Sequence, residues 1–203
     1  MQDSPAPHRP PPQRHTVPPG TGTLGMWLFL LSLGMLFAGS MAAYLLLRVT
    51  ADGGPAIGEA ELPRTLWAST AIIIVSSFTL HAALRKVRRE HQLAFRRLMV
   101  VTCALALAFL VVQVPSLVAL LEEHLALAAD EQQVHPAGLI FFLILVHAAH
   151  VVGGVGYMAF VTRRAHGHRY DHEHHAAVKH LAMYWHFLDG VWLLMFAMFL
   201  VAG

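Results

Sequence analysis

The chain has 203 residues, of which 56% are hydrophobic and only 13% charged, where a soluble domain carries about 25% charged residues. That composition excludes an ordinary soluble globular domain. The net charge of +2 does not indicate a nucleic-acid-binding face, because the basic residues lie between apolar blocks and not along one surface.

Residues 1–22, "MQDSPAPHRPPPQRHTVPPGTG", are proline-rich and polar. They bury too little apolar surface to order themselves and are expected to form a disordered cytoplasmic tail. The first apolar run is too long for a secretory signal and lacks a small-residue cleavage site. Residues 23–203 hold five apolar blocks, about Gly25–Leu47, Thr65–Leu84, Leu98–Leu121, Ala137–Val161 and Leu181–Ala202. Each is long enough to cross a hydrocarbon core of roughly 30 Å. Only helices or closed barrels satisfy the backbone there, and continuous apolarity without period-two alternation excludes a barrel. The expected fold is all-α, a polytopic membrane bundle of five transmembrane helices with a kink at Pro115 in the third. Cys103, the only cysteine, lies in that third segment as a small hydrophobe. A single cysteine permits neither an internal disulfide nor a thiolate metal cluster.

The connections alternate in charge. "RKVRREHQLAFRR" after the second block carries six Lys/Arg, "RRAHGHRYDHEHHAAVK" after the fourth carries four, and the tail adds Arg9 and Arg14. The other side has only Arg48 and Arg64 beside seven carboxylates. Twelve basic residues against two place the N-terminus inside and the C-terminus outside, in a cell membrane crossed several times.

Ionisable side chains within such blocks are costly and demand partners. His147 and His150 lie three apart on the fourth block, and His186 and Asp189 three apart on the fifth, so each pair shares a helical face. An interhelical network of these four is the economical arrangement. At about 0.6 kcal/mol per membrane hydrogen bond, it would set register more than stability. Haem ligation by His147 and His150 fails on geometry, since two axial ligands must face each other across the haem plane. The loop "HGHRYDHEHH" offers His168, His172, His174 and His175 as one dense histidine box, but a membrane di-iron centre needs several, and "HVVGG" and "LHAAL" do not supply them. Gly39 and Ala43 on the first block, and Gly153, Gly154 and Gly156 on the fourth, are small enough to let helices approach closely.

The last block, "YWHFLDGVW" (Tyr184, Trp185, His186, Asp189 and Trp192 within it), resembles the Y-W-H-F-x-D-x-x-W signature of subunit III of the haem–copper terminal oxidases. Other segments are similar in the same order: "GMWLFLLSLGMLFAGSMAAY" on the first block, Thr70, Ser76 and Ser77 on the second, Phe109 and Gln113 on the third, and "HAAHVVGG" on the fourth. Five helices resemble the shorter bacterial members; longer members add two N-terminal helices and a phospholipid-holding cleft.

The resemblance implies a non-catalytic accessory subunit of a cytochrome c or quinol oxidase in the bacterial inner membrane. Such a subunit packs against the catalytic subunit I, holds lipid, and supports aerobic electron transport and proton uptake. Haem and copper belong to partner subunits, and this chain binds none. His147, His150, Tyr184, Trp185, His186, Asp189 and Trp192 then form a structural polar clasp, with Gly39, Ala43, Ser76, Ser77 and Gly154 at helix contacts. Leu33, Ser116 and Lys179 stand where the family is usually acidic, so a proton-related role of the first of those carboxylates is absent here. The other readings are an accessory subunit of nitric oxide reductase and a histidine-box membrane metalloenzyme.

Overall fold

A computed structural model describes residues 21–50, 64–128, 136–167 and 175–202. Five helices carry them: α1 (Thr21–Thr50), α2 (Arg64–Arg88), α3 (Gln92–Ala128), α4 (Pro136–His166) and α5 (Ala176–Ala202). All five are long and apolar enough to cross a membrane. The expected tail, residues 1–22, lies outside the described residues except for its last two, which open α1.

Every helix reaches beyond at least one end of its apolar block. Hydropathy marks the hydrocarbon, but the backbone keeps its helical hydrogen bonds into the interface, where water and charge are available. Arg85, Lys86 and Arg88 fill the last turn of α2, and Arg163, Arg164 and His166 that of α4. Cations there meet the negative end of the helix dipole and the unpaired terminal carbonyls. Pro136 opens α4, where a missing N–H costs nothing. Pro115 does not end α3, which continues to Ala128.

The α2–α3 turn is a Schellman cap. The Glu90 N–H donates to the Val87 carbonyl (3.2 Å) and the His91 N–H to the Lys86 carbonyl (3.1 Å). Glu90 takes the left-handed conformation this requires, with φ of 60°. A connection this short forces α2 and α3 to lie side by side and antiparallel.

Neighbouring helices are α2 with α3, α3 with α4, α4 with α5 and α5 with α2, while α1 packs on α4 and α5. The result is a four-helix square with α1 laid along one edge. Packed against α1, α2 and α4, α5 is the most enclosed span by the share of its apolar stretch that is buried, and Trp185, Leu181 and Leu188 are fully buried on it. They meet Phe37 of α1, Ile73 and Leu80 of α2, Met99 and Phe109 of α3, and Leu143 and Met158 of α4 in one core.

Gly154 makes the α4–α5 approach possible. A Cβ there would lie 3.1 Å from Tyr184 Cε1 and 3.3 Å from both Leu188 Cδ1 and Trp185 Cζ3. Gly39, Gly153 and Gly156 meet nothing within 4 Å, and Gly39 and Ala43 are exposed on α1. Of the small residues expected at contacts between helices of this chain, Gly154 is the one that a side chain would crowd. We expect Gly154→Val to lower resistance to SDS-induced unfolding by about 1–3 kcal/mol, the usual cost of overpacking, and Gly153→Val to change it by less than half as much. Equal losses in the two variants would contradict this packing.

Candidate functional site

Three side-chain hydrogen bonds lace α2 to α5. The Trp192 indole N–H donates to Thr70 Oγ1 at 3.1 Å, and the Trp185 indole N–H to Ser76 Oγ at 3.0 Å. Ser77 Oγ and His186 Nδ1 lie 2.5 Å apart. Going from Thr70 to Ser77 climbs α2 while Trp192 to His186 descends α5, as an antiparallel pair demands.

The hydroxyls suit this task because each has one proton and spare lone pairs. Thr70 spends its proton on the Leu66 carbonyl (2.8 Å) and Ser76 on the Ile73 carbonyl (2.7 Å), within their own helix. What remains on each oxygen is an acceptor, and an indole can only donate. The pairing is therefore directional and leaves no polar atom of either pair facing hydrocarbon. A further hydroxyl bond, Thr102 Oγ1 to Thr79 Oγ1 at 2.9 Å, joins α3 to α2.

His147 and His150 belong to a different place. His147 is 2% exposed, lies edge-on to Phe37 and stacks near Trp192 at 5.8 Å between centroids, and neither ring nitrogen has a hydrogen-bond partner. The His150 ring bonds its own helix, Nδ1 to the Val146 carbonyl at 2.7 Å, and its backbone carbonyl accepts the Tyr184 hydroxyl at 2.9 Å. The four ionisable residues expected in one network thus divide into two groups. The spacing of three sets 147 beside 150 and 186 beside 189, but α4 and α5 present those faces in different directions.

Ser77 and Ser76 are neighbours in sequence and sit about 100° apart around α2. Ser76 is buried against Trp185, whereas Ser77 turns into a groove on the outside of the α2–α5 pair. That groove has a volume of about 390 Å³ and is lined by Ile74, Ser77, Phe78 and His81 of α2 and by His186, Asp189 and Leu193 of α5. His186 Nδ1 is 4.0 Å from Asp189 Oδ2, beyond hydrogen-bond reach, and the His81 and His186 rings are 6.2 Å apart. Asp189 is 5% exposed, with the Ser77 hydroxyl as its neighbouring donor, and that one proton cannot satisfy both carboxyl oxygens. In the sequence, His81 stands out only as part of "LHAAL". The signal that places it here is its spacing of four from Ser77, which puts both on one face of α2.

Among the described residues, no group of three or more His, Cys, Asp or Glu side chains is gathered as a metal centre. His168, His172 and His174 lie outside the described residues, and His175 precedes α5. Leu33, where the resemblance implied a carboxylate, is buried in the apolar core of α1. Lys179 lies in the first turn of α5, half-buried.

The model of the family described as cytochrome c oxidase subunit III matches residues 13–203. The chain is 31% identical over 184 residues to "Cytochrome c oxidase subunit 3" of Thermostichus vulcanus, covering 89% of this chain and 87% of that protein. It is 29% identical over 187 residues to "Cytochrome bo(3) ubiquinol oxidase subunit 3" of Pseudomonas aeruginosa, covering 91% and 86%. With "Quinol oxidase subunit 3" of Bacillus subtilis it shares 25% over 173 residues, covering 85% and 83%.

The lacing bonds should be measurable as a coupling. A double-mutant cycle of Trp185→Phe and Ser76→Ala should give an interaction energy of about 0.6 kcal/mol and at most about 1.7, the range for hydrogen bonds between membrane helices. Purely additive losses in SDS-induced unfolding would mean that the indole and hydroxyl do not pair.

Proposed function

Because the chain belongs to the cytochrome c oxidase subunit III family, as the match over residues 13–203 shows, we propose that it is the non-catalytic member of a haem–copper oxidase complex in a bacterial inner membrane. As subunit III of such a complex it is a multi-pass membrane protein. In this reading it packs on the catalytic subunit, which carries haem and copper, and helps to hold lipid beside it. By keeping that subunit in its working form it sustains turnover and proton uptake. The basic connections face the cytoplasm, with the N-terminus inside and the C-terminus outside.

One observation carries the non-catalytic assignment. The signature side chains Trp185 and Trp192, together with Thr70 and Ser76, spend their polar atoms on the contact between α2 and α5. Residues that lock a bundle from within do the work of a scaffold. The loss of a carboxylate at Leu33 agrees, since an aliphatic side chain in a dry core neither accepts nor passes a proton. The names of the relatives, which are oxidase subunits for cytochrome c or quinol, support this reading over a nitric oxide reductase subunit or a histidine-box metalloenzyme.

A tagged copy of the chain, extracted in mild detergent, should bring down a haem-bearing subunit and oxidase activity together. After the subunits are separated, this chain should show no Soret band and less than about one iron per two chains, which excludes a di-iron centre. A stoichiometric Soret band, or substrate turnover by the separated chain, would overturn the assignment.

A further inference from the structure

The groove between α2 and α5 contains polar groups that the bundle itself leaves unsatisfied. On one wall are Ser77, Phe78 and His81, and on the other His186, Asp189 and Leu193. The Asp189 side chain is almost wholly buried at the base of this groove, and the single proton of the neighbouring Ser77 hydroxyl can serve at most one of its oxygens, so at least one is left without a partner. Ser77 is already engaged with His186, and the His186 Nδ1 stays 4.0 Å from the carboxyl. A carboxyl inside a membrane requires a partner from somewhere.

Depth decides where the partner comes from. Ser77 lies eleven residues from each end of the Leu66–Arg88 span, about 17 Å along the axis at the helical rise of 1.5 Å per residue. His186 is ten residues from the start of the Ala176–Met198 span and twelve from its end, and Asp189 is nine from that end. The groove therefore opens near the midplane of a hydrocarbon core about 30 Å thick, out of reach of lipid headgroups. Acyl chains reach it but offer no hydrogen bond. A donor at this depth must arrive on another membrane-spanning segment.

Resting on the reading of the chain as an oxidase subunit, we propose that this groove is the docking site for a membrane-spanning helix of the haem-bearing partner subunit. That helix inserts one hydrogen-bond-donating side chain (Lys, Arg, Trp or Tyr) between His81 and His186 to meet Asp189. Complementarity of charge and hydrogen bonding selects this occupant: a carboxyl acceptor flanked by two imidazoles is matched by a donor. The exposed Phe78 and Leu193 beside them supply the apolar rim against which a helix packs.

The test uses the whole complex. A photoreactive benzoylphenylalanine replaces Phe78 in one variant and Leu193 in another, with Leu31 and Leu46 on the exposed face of α1 as comparison positions. Illumination of native membranes, followed by purification through a tag on this chain, should give an adduct with the haem-bearing subunit from both groove positions. Asp189→Leu should reduce haem retained on the tagged chain at least tenfold after a stringent detergent wash, and Asp189→Asn, which keeps a carbonyl acceptor, less than threefold.

Co-purification of the haem-bearing subunit while the groove positions capture only lipid, or only a second copy of this chain, would overturn the docking site and leave the subunit assignment standing. So would adducts with that subunit formed from Leu31 and Leu46 alone. Absence of any haem-bearing subunit would overturn the assignment and the docking site with it. Because the photo-adducts are read with Asp189 intact, poor folding of Asp189→Leu does not blunt the test.

Discussion

A bilayer core contains no water to receive a polar group that a protein leaves over, and this single constraint organises the α2–α5 contact. Every indole N–H on the inner face of α5 finds a hydroxyl on α2, and each of those hydroxyls has already given its own proton to its own helix. The pairs fix α5 against α2 in translation and rotation together, since a slide of one residue would turn Trp185 away from Ser76. Individually such bonds are weak, but their alternatives are unpaired donors in hydrocarbon, so they specify one register among many that apolar packing alone would allow. The helices that touch α5 inherit that register: α4 is held close by Gly154, and α1 lies against the face carrying Tyr184 and Phe187.

The same constraint sorts the histidines. His150 is served by a carbonyl of its own helix, and His186 is served by Ser77. His147 is enclosed by Phe37 and Trp192, and its ring is held by stacking and edge contacts. These are three ways of accommodating an imidazole in a membrane, and they separate two clusters that the family signature places in adjacent motifs. One cluster faces the core of the bundle, while the other faces out. Among the described residues, the outward cluster is one that contacts within the chain leave incomplete on an outer face.

Much of this was legible in the sequence. Five spans follow from blocks of continuous apolarity without the period-two alternation of a barrel. The pairing of His186 with Asp189 follows from a spacing of three on a helix. What the spacing does not contain is which neighbour a face meets. Thr70, Ser76 and Ser77 form a pattern along α2, yet nothing in their order says that Ser76 meets an indole inside and Ser77 an imidazole outside. Gly39 and Gly154 are the same residue in similar apolar surroundings, but only one lies where two helices press together. Helix ends were also beyond hydropathy, because the spans run on into basic turns that are interfacial and still helical, as Arg85 to Arg88 and Arg163 to His166 show.

The register of α5 against α2 depends on the indoles of Trp185 and Trp192 being held by hydroxyls of α2. Hydrogen exchange of the four tryptophan indole protons, followed by NMR in lipid nanodiscs in D2O, measures this directly. The signals of Trp185 and Trp192 should persist long after those of the exposed Trp27 and Trp67 are lost, and Ser76→Ala should remove the protection of Trp185 while sparing that of Trp192. Exchange of Trp185 at the rate of Trp67, or unchanged protection in Ser76→Ala, would contradict it.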